Sequence, residues 1–196
     1  MSHYFINDNN LKSNIKEFKT KFKNQEFIFK TDNGVFSKGE VDFGTRLLLE
    51  TVLENNLEGR VLDLGCVFGV SGIVLAKLKK VTVDMIYVNK RAIHLTKKNI
   101  LENGVSLVEA FLSDGFLGIS EKYDYIVTNP PIRIGKEKLY QIFTEARNYL
   151  KENGVIYLVI RKEQGAKSFI LDMGKIYQIE ILTKSKGFYI ISLKCC

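Results

Sequence analysis

From residue 60 onward short apolar runs alternate with segments of helical spacing, and this rhythm constrains the fold more than any other feature of the chain. RVLDLG, VTVDMIYV, SLVEAFL, YDYIVTN and GVIYLVI are rich in Val, Ile, Leu and Tyr and read as strands buried on both faces. Between them, SGIVLAKLKK, KRAIHLTKKNILENG and KEKLYQIFTEARNYLKENG carry apolar residues at helical spacing, and Asn-Gly closes the last two. Strand and helix in alternation predict a mostly parallel sheet with helices on both faces. The tail departs from the rhythm. A helix near 164 to 173 is followed by KIYQIEILTK and GFYIISLK, joined by Lys-Ser-Lys-Gly, which predicts a hairpin closing the sheet on an antiparallel strand.

Ahead of the rhythmic part, Asp42 or Gly44 can start a helix through LLLETVLENN that ends near Gly59, and QEFIFKTD alternates like a strand. Residues 1–30 hold six lysines against Asp8, Glu17 and Glu26, interleaved with Tyr4, Phe5, Phe18, Phe22, Phe27 and Phe29. This segment reads as a β-rich cap whose aromatics pack on the main domain and whose lysines are solvated, or as an arm that faces RNA. The division expected is a cap or arm over 1–40 and one domain over 41–196. With 196 residues, 45% hydrophobic and 26% charged, the chain can bury one sizeable core, which excludes disorder. No apolar run approaches the ~20 residues that cross a bilayer, so a cytoplasmic protein without membrane partners is expected. Cys66, Cys195 and Cys196 show no disulfide or zinc spacing, and His94 has no second ligand placed near it, so no metal is expected. A formal charge of +7 favours a polyanionic partner.

Two segments carry the chemistry. The first strand runs into Leu64-Gly65-Cys66-Val67-Phe68-Gly69-Val70, a turn that lets a nucleotide lie against bare backbone at the carboxyl edge of a sheet. Its G-x-x-x-G spacing is not the G-x-G-x-x-G of a dinucleotide site. The second segment is Asn129-Pro130-Pro131-Ile132, which follows the strand 123–128 at the same edge and contains both prolines of the chain. Proline fixes φ and lacks an N–H, and it holds the preceding residue extended. The Asn129 amide oxygen and the Pro130 carbonyl therefore form a rigid pair of acceptors suited to an exocyclic amino group.

VLDLGCVFGVSG followed by YIVTNPPIR, together with Gly34-Val35-Phe36-Ser37, Val41-Asp42-Phe43-Gly44-Thr45-Arg46-Leu47-Leu48 and Ser113-Asp114-Gly115-Phe116, resembles the class I S-adenosylmethionine-dependent methyltransferases. The resemblance is to the small-domain group that contains ribosomal RNA guanine-N2 methyltransferases. It implies a Rossmann-like seven-stranded sheet whose last strand is antiparallel, with S-adenosylmethionine as cofactor and RNA, ribosomal in that group, as partner. It implies that Asp63, Gly65 and Gly69, with Cys66 and Val67 in the same turn, line the methionine and ribose side. Asp114 and Gly115 would meet the adenine, and Phe36, Ser37, Asp42, Gly44 and Thr45 would close the pocket. Asn129, Pro130, Pro131 and Ile132 would form the catalytic loop, with Arg133 and Lys136 contacting phosphate.

Two positions depart from the family pattern. Val67 stands where a glycine is expected, and a β-branched residue at a positive-φ site costs roughly 1–3 kcal/mol. Tyr87 stands where a carboxylate would hold the ribose hydroxyls, and Asn89 offers one substitute contact. The alternative these departures suggest is a noncatalytic RNA-binding relative. A nicotinamide oxidoreductase ranks third, since it gives Asn-Pro-Pro no role. Guanine, adenine and a protein glutamine amide all remain open as acceptors, and the oligomeric state is open too.

Overall fold

The computed structural model describes residues 12–33, 39–131 and 134–195. The chain begins with an antiparallel hairpin, β1 (Lys16–Phe22) and β2 (Gln25–Thr31), turned by Lys23 and Asn24, both at positive φ. Helix α1 (Phe43–Val52) follows, N-capped by Asp42, whose carboxylate accepts from the Thr45 backbone N–H. It ends at Val52, well short of Gly59.

The alternating pattern then appears as β3 (Arg60–Leu64), α2 (Val70–Lys79), β4 (Thr82–Tyr87), α3 (Lys90–Glu102), β5 (Val108–Leu112) and β6 (Tyr123–Thr128). It continues with α4 (Lys136–Ala146), β7 (Leu150–Arg161), α5 (Ala166–Met173), β8 (Tyr177–Ser185) and β9 (Phe188–Cys195). The seven strands lie in the order β5-β4-β3-β6-β7-β9-β8. Strands β3 to β7 are parallel, and β9 runs antiparallel to both β7 and β8. The expected sheet with its closing hairpin is therefore present. Helices α1, α2 and α3 cover one face with the β1–β2 hairpin, and α4 and α5 cover the other.

A second helix, α4, is also shorter than its pattern predicts. KEKLYQIFTEARNYLKENG is helical only to Ala146, and Asn153-Gly154 closes no helix. The segment turns at Arg147–Tyr149, Leu150 pairs with Tyr123, and the register then jumps so that Tyr125 pairs with Val155. Burying Leu150 beneath the sheet outweighs continued helix. The four residues between the two pairs loop out at Asn153, with φ 63°, and at Gly154, where a Cβ would lie 3.1 Å from the Tyr123 carbonyl.

The hairpin is seated by two asparagines, Asn99 in α3 and Asn103 at its C-cap. Asn99 accepts from the Lys30 N–H at 2.7 Å and donates to the Lys30 carbonyl at 3.0 Å. Asn103 makes the same pair of bonds to Ile28, at 3.0 and 2.7 Å. A four-residue step along a helix advances ~6 Å, and a two-residue step along a strand ~6.6 Å. The two amides thus extend the ladder of β2 onto a helix. Phe22, Phe27 and Phe29 are buried in the same core as α1, α2 and α3, with Phe18 packed against it, so these four aromatics pack inward as a cap requires, while Tyr4 and Phe5 lie outside the described residues. On the outward face charges alternate: Glu17 is opposite Lys30 and Lys21 is opposite Glu26. No helix among the described residues is long and apolar enough to cross a membrane.

Candidate functional site

The chain leaves β3 for β4 on one side and later returns to pair β6 on the other, so their outgoing loops diverge and open a crevice at the carboxyl edge of the sheet. Both chemical segments stand there. The glycine turn follows β3, the Asn-Pro-Pro segment follows β6, and the Thr128 hydroxyl ties the two edges by donating to the Leu64 carbonyl at 2.7 Å.

The glycine turn is held from three sides. Gly65 and Cys66 both donate N–H to the Ile86 carbonyl at 3.0 Å, and Gly69 donates to the Cys66 carbonyl at 2.7 Å. The Thr96 hydroxyl reaches the Val67 carbonyl at 3.3 Å, and Asn99 donates to the Phe68 carbonyl at 2.9 Å. Val67 has φ +54°, so the valine does occupy the left-handed region anticipated from the pattern. Gly69, at φ +92°, has no room for a side chain, because a Cβ would lie 2.7 Å from the Thr96 methyl. At Gly65, with φ +86°, there is open space above the backbone.

That space opens into a cleft of about 210 Å³ between the strand ends and α4. Of the residues expected at the site, Gly65, Tyr87, Asp114, Gly115, Pro130 and Pro131 line it. Joining them are Leu64, Ile86, Val88, Ser113, Thr128, Ile134, Lys138, Ile142 and Phe143. Ile142 and Phe143 of α4 carry no sequence signal of their own, since on a helix they read only as apolar spacing. Asp114 is exposed, with Lys138 at 3.8 Å.

Most of the other expected residues, and Tyr87 itself, are buried or engaged within the protein. Asp63 is buried, accepts from the Gly72 N–H at 2.8 Å, and has its pKa pushed up to about 7 by burial. Cys66 is buried, and desolvation together with the Asp63 charge raises its thiol pKa, which makes it a poor nucleophile. Tyr87 is buried at the end of β4, where burial raises its phenol pKa. Asn89 caps α3, its side-chain oxygen accepting from the Ala92 N–H at 3.1 Å. Lys136 pairs with Asp172 of α5 at 3.2 Å and lies over the Tyr140 ring, so its head group is engaged within the protein. Phe36, Ser37, Ile132 and Arg133 lie outside the described residues. Among the described residues no cluster of His, Cys, Asp and Glu could hold a metal.

Asp42, Thr45 and Asn129 converge, and hydrogen-bond arithmetic fixes how. The Thr45 hydroxyl donates its one proton to Asp42 Oδ2 at 2.5 Å, leaving only lone pairs. Asn129 Nδ2 lies 2.9 Å from that hydroxyl and 3.3 Å from Asp42 Oδ1. Both neighbours can only accept, so the amide must turn its NH₂ toward them and its Oδ1 away. The remaining acceptor is aimed out of the network, and the adjacent carboxylate polarises it. The Pro131 carbonyl is taken by the Ile134 N–H at 3.0 Å.

The profile of the methyltransferase small-domain family matches residues 26–192. The protein YbxB of Bacillus subtilis is 40% identical over 196 residues, 98% of either chain. A ribosomal RNA small subunit methyltransferase C of Haemophilus influenzae is 32% identical over 82% of this chain and 49% of its own length. The chain thus spans about half of that relative. Among solved structures, the T. thermophilus 16S rRNA N2 methyltransferase RsmC, in complex with AdoMet and guanosine, superposes with a TM-score of 0.80 at 25% identity. That alignment covers 93% of this chain and 51% of the other. A methyltransferase from Pyrococcus furiosus shares the fold, with a TM-score of 0.68 at 16% identity.

Proposed function

Because the chain belongs to the methyltransferase small-domain family, we propose that it methylates the exocyclic amino group of a nucleobase, guanine N2 in ribosomal RNA. It is an S-adenosylmethionine-dependent methyltransferase of the RsmC-like group. On this reading residues 1–40 cap a methyltransferase domain over 41–196, and the protein works in the cytoplasm.

The cleft suits the cofactor. Bare backbone at Gly65 permits close approach, Ile86, Val88 and Ile142 offer apolar walls, and the Asp114 carboxylate can accept from an adenine amino group. Tyr87 would supply a single hydroxyl on the ribose side. When bound, S-adenosylmethionine supplies an electrophilic methyl group on a sulfonium. The chain's own part is to prepare the nucleophile. The lone pair of guanine N2 is delocalised into the ring, and two acceptors on its hydrogens favour a pyramidal nitrogen with the lone pair aimed for in-line attack. Asn129 Oδ1 and the Pro130 carbonyl are those acceptors. The amino proton becomes acidic as the methyl arrives and leaves to water, so no strong general base is needed.

The observation that carries the reading is the enforced outward turn of Asn129 Oδ1. The test is methyl transfer to ribosomal RNA fragments, with mass spectrometry of the digested nucleosides. Wild type should yield N2-methylguanosine. Asn129→Ala should be slower by 10²-fold or more, the usual effect of losing one oriented transition-state partner, with S-adenosylmethionine affinity unchanged. Methyladenosine, or a methylated protein glutamine, would reassign the substrate. Undiminished transfer by Asn129→Ala would remove the catalytic role.

A further inference from the structure

Beside Asn129, on the α1 side, stands a group of aromatic and cationic side chains that the methyl-transfer geometry leaves unused. Phe43, the first residue of α1, and Phe188, the first of β9, pack with ring centroids 5.3 Å apart. Lys186 Nζ lies 4.8 Å from the centre of the Phe43 ring, and the Arg161 guanidinium 4.8 Å from that of Phe188. Strands β7, β8 and β9 run past the end of β6 here. Thr128, the last residue of β6, pairs with Leu158, whereas Phe188 pairs with Arg161 further along β7. The group therefore projects beyond the same sheet edge that presents Asn129.

The two places nearly touch. A Cβ on Gly44 would lie 2.9 Å from the Phe188 ring and 3.2 Å from Asp42 Oδ1, the oxygen bonded to Asn129. One glycine and one carboxylate separate the aromatic group from the acceptor amide. Around the rings Arg161, Lys162 and Lys186 stand against Asp42 and Glu163, the latter 3.5 Å from Arg161 Nε, while Lys184 lies over Tyr189 on the other face of the sheet. Lys186 is exposed, while Phe43 and Phe188 are half-buried.

We propose that Arg161, Lys186, Phe43 and Phe188 form the subsite for the RNA nucleotide adjoining the one whose base reaches Asn129. This rests on the reading of the substrate as RNA. Cations held over ring faces keep donors directed outward with little freedom left to lose, which suits the two backbone phosphates that flank a nucleotide, one for each cation. A ring edge and partly open face beside them suits a flanking base, and positive charge interleaved with aromatics is the combination single-stranded nucleic acid requires. The hairpin, also rich in lysine, is the weaker candidate because its outward lysines face glutamates across the strand pair.

The test is the binding of a single-stranded RNA of about ten nucleotides, containing guanosine, by fluorescence anisotropy over a salt series. Arg161→Gln with Lys186→Met should weaken binding at least tenfold at low salt. It should also reduce the slope of log affinity on log salt by about 1.4, the value for two single-strand phosphates. Phe188→Leu should weaken binding about fivefold or more with the slope unchanged. Lys19→Gln with Lys21→Gln, an equal charge change on the hairpin, should have less than about a threefold effect. S-adenosylmethionine affinity, measured calorimetrically, and thermal unfolding should match wild type in both charge variants. Unchanged RNA affinity in the first variant, an equal loss in the hairpin variant, or no RNA binding by wild type would each overturn the inference. RNA binding that depends on this group, without methyl transfer, would uphold the subsite and refute the proposed reaction.

Discussion

Val67→Gly is the substitution whose outcome the structure constrains most tightly. An L-residue in the left-handed region costs ~1–2 kcal/mol, and Val67 sits there with φ +54°; glycine removes that cost. Two losses oppose the gain. The valine side chain is half-buried against the core, and about half of the ~1.5–3 kcal/mol for a fully buried valine is forfeited. The freer unfolded chain of a glycine costs ~0.5–1 kcal/mol more. The terms nearly cancel, so stability should change by less than ~1 kcal/mol. The bond from the Thr96 hydroxyl to the residue-67 carbonyl survives, because it uses no side-chain atom of Val67. Val70→Gly is the control: Val70 is buried in the first turn of α2 at ordinary helical geometry, and its loss should cost ~3 kcal/mol through burial and helix propensity. Urea unfolding of the three proteins, with a common slope, measures both values. Equal destabilisation in the two variants would refute the claim that the left-handed valine is strained. Val67 does not line the cleft, so S-adenosylmethionine affinity should shift less than about threefold, and a tenfold gain would show that its methyls do crowd the cofactor.

Asp63 has a folded pKa of about 7, above the unfolded value, so the folded state holds a proton that the unfolded state releases first. Its contribution is fully favourable below about pH 4 and is lost as pH rises toward 7, by as much as ~4 kcal/mol. Asp63→Asn should flatten that part of the stability profile, and parallel profiles for the two proteins would contradict the assignment. Asn99→Ala strands the Lys30 N–H, the Lys30 carbonyl and the Phe68 carbonyl, which should cost roughly 3 kcal/mol. Amide exchange should rise in β2 before the central strands, and uniform exchange would show that the hairpin and sheet open together.

The alternation of short apolar runs with helical segments was sufficient for the sheet, because burial on both faces leaves strands few other patterns. The terminal hairpin was legible for a related reason, as two half-exposed strands joined by Lys-Ser-Lys-Gly cannot form a parallel crossover. The glycine turn and the Asn-Pro-Pro segment were legible because their backbone demands are local: φ at Gly65 and Gly69, and the restriction that Pro130 places on Asn129. The strain at Val67 was legible through the family resemblance, which expects a glycine at that position.

What only the tertiary structure decided depends on contacts between distant parts of the chain. Leu150 ends a pattern that would otherwise continue as helix, because the sheet offers it burial beside Tyr123. Asn99 and Asn103 look like interruptions of an amphipathic helix until β2 arrives with unpaired backbone groups at matching spacing. In the sequence Asp42 reads as a helix start, and the resemblance adds only that Asp42 and Thr45 would close the cofactor pocket. Their role in turning the Asn129 amide exists only because the crevice between β3 and β6 brings residue 129 against the start of α1. Sequence periodicity reports which face of an element is apolar. Which polar atom meets which across the fold is set by the packing of elements far apart in the chain, and a side chain's orientation follows from those partners.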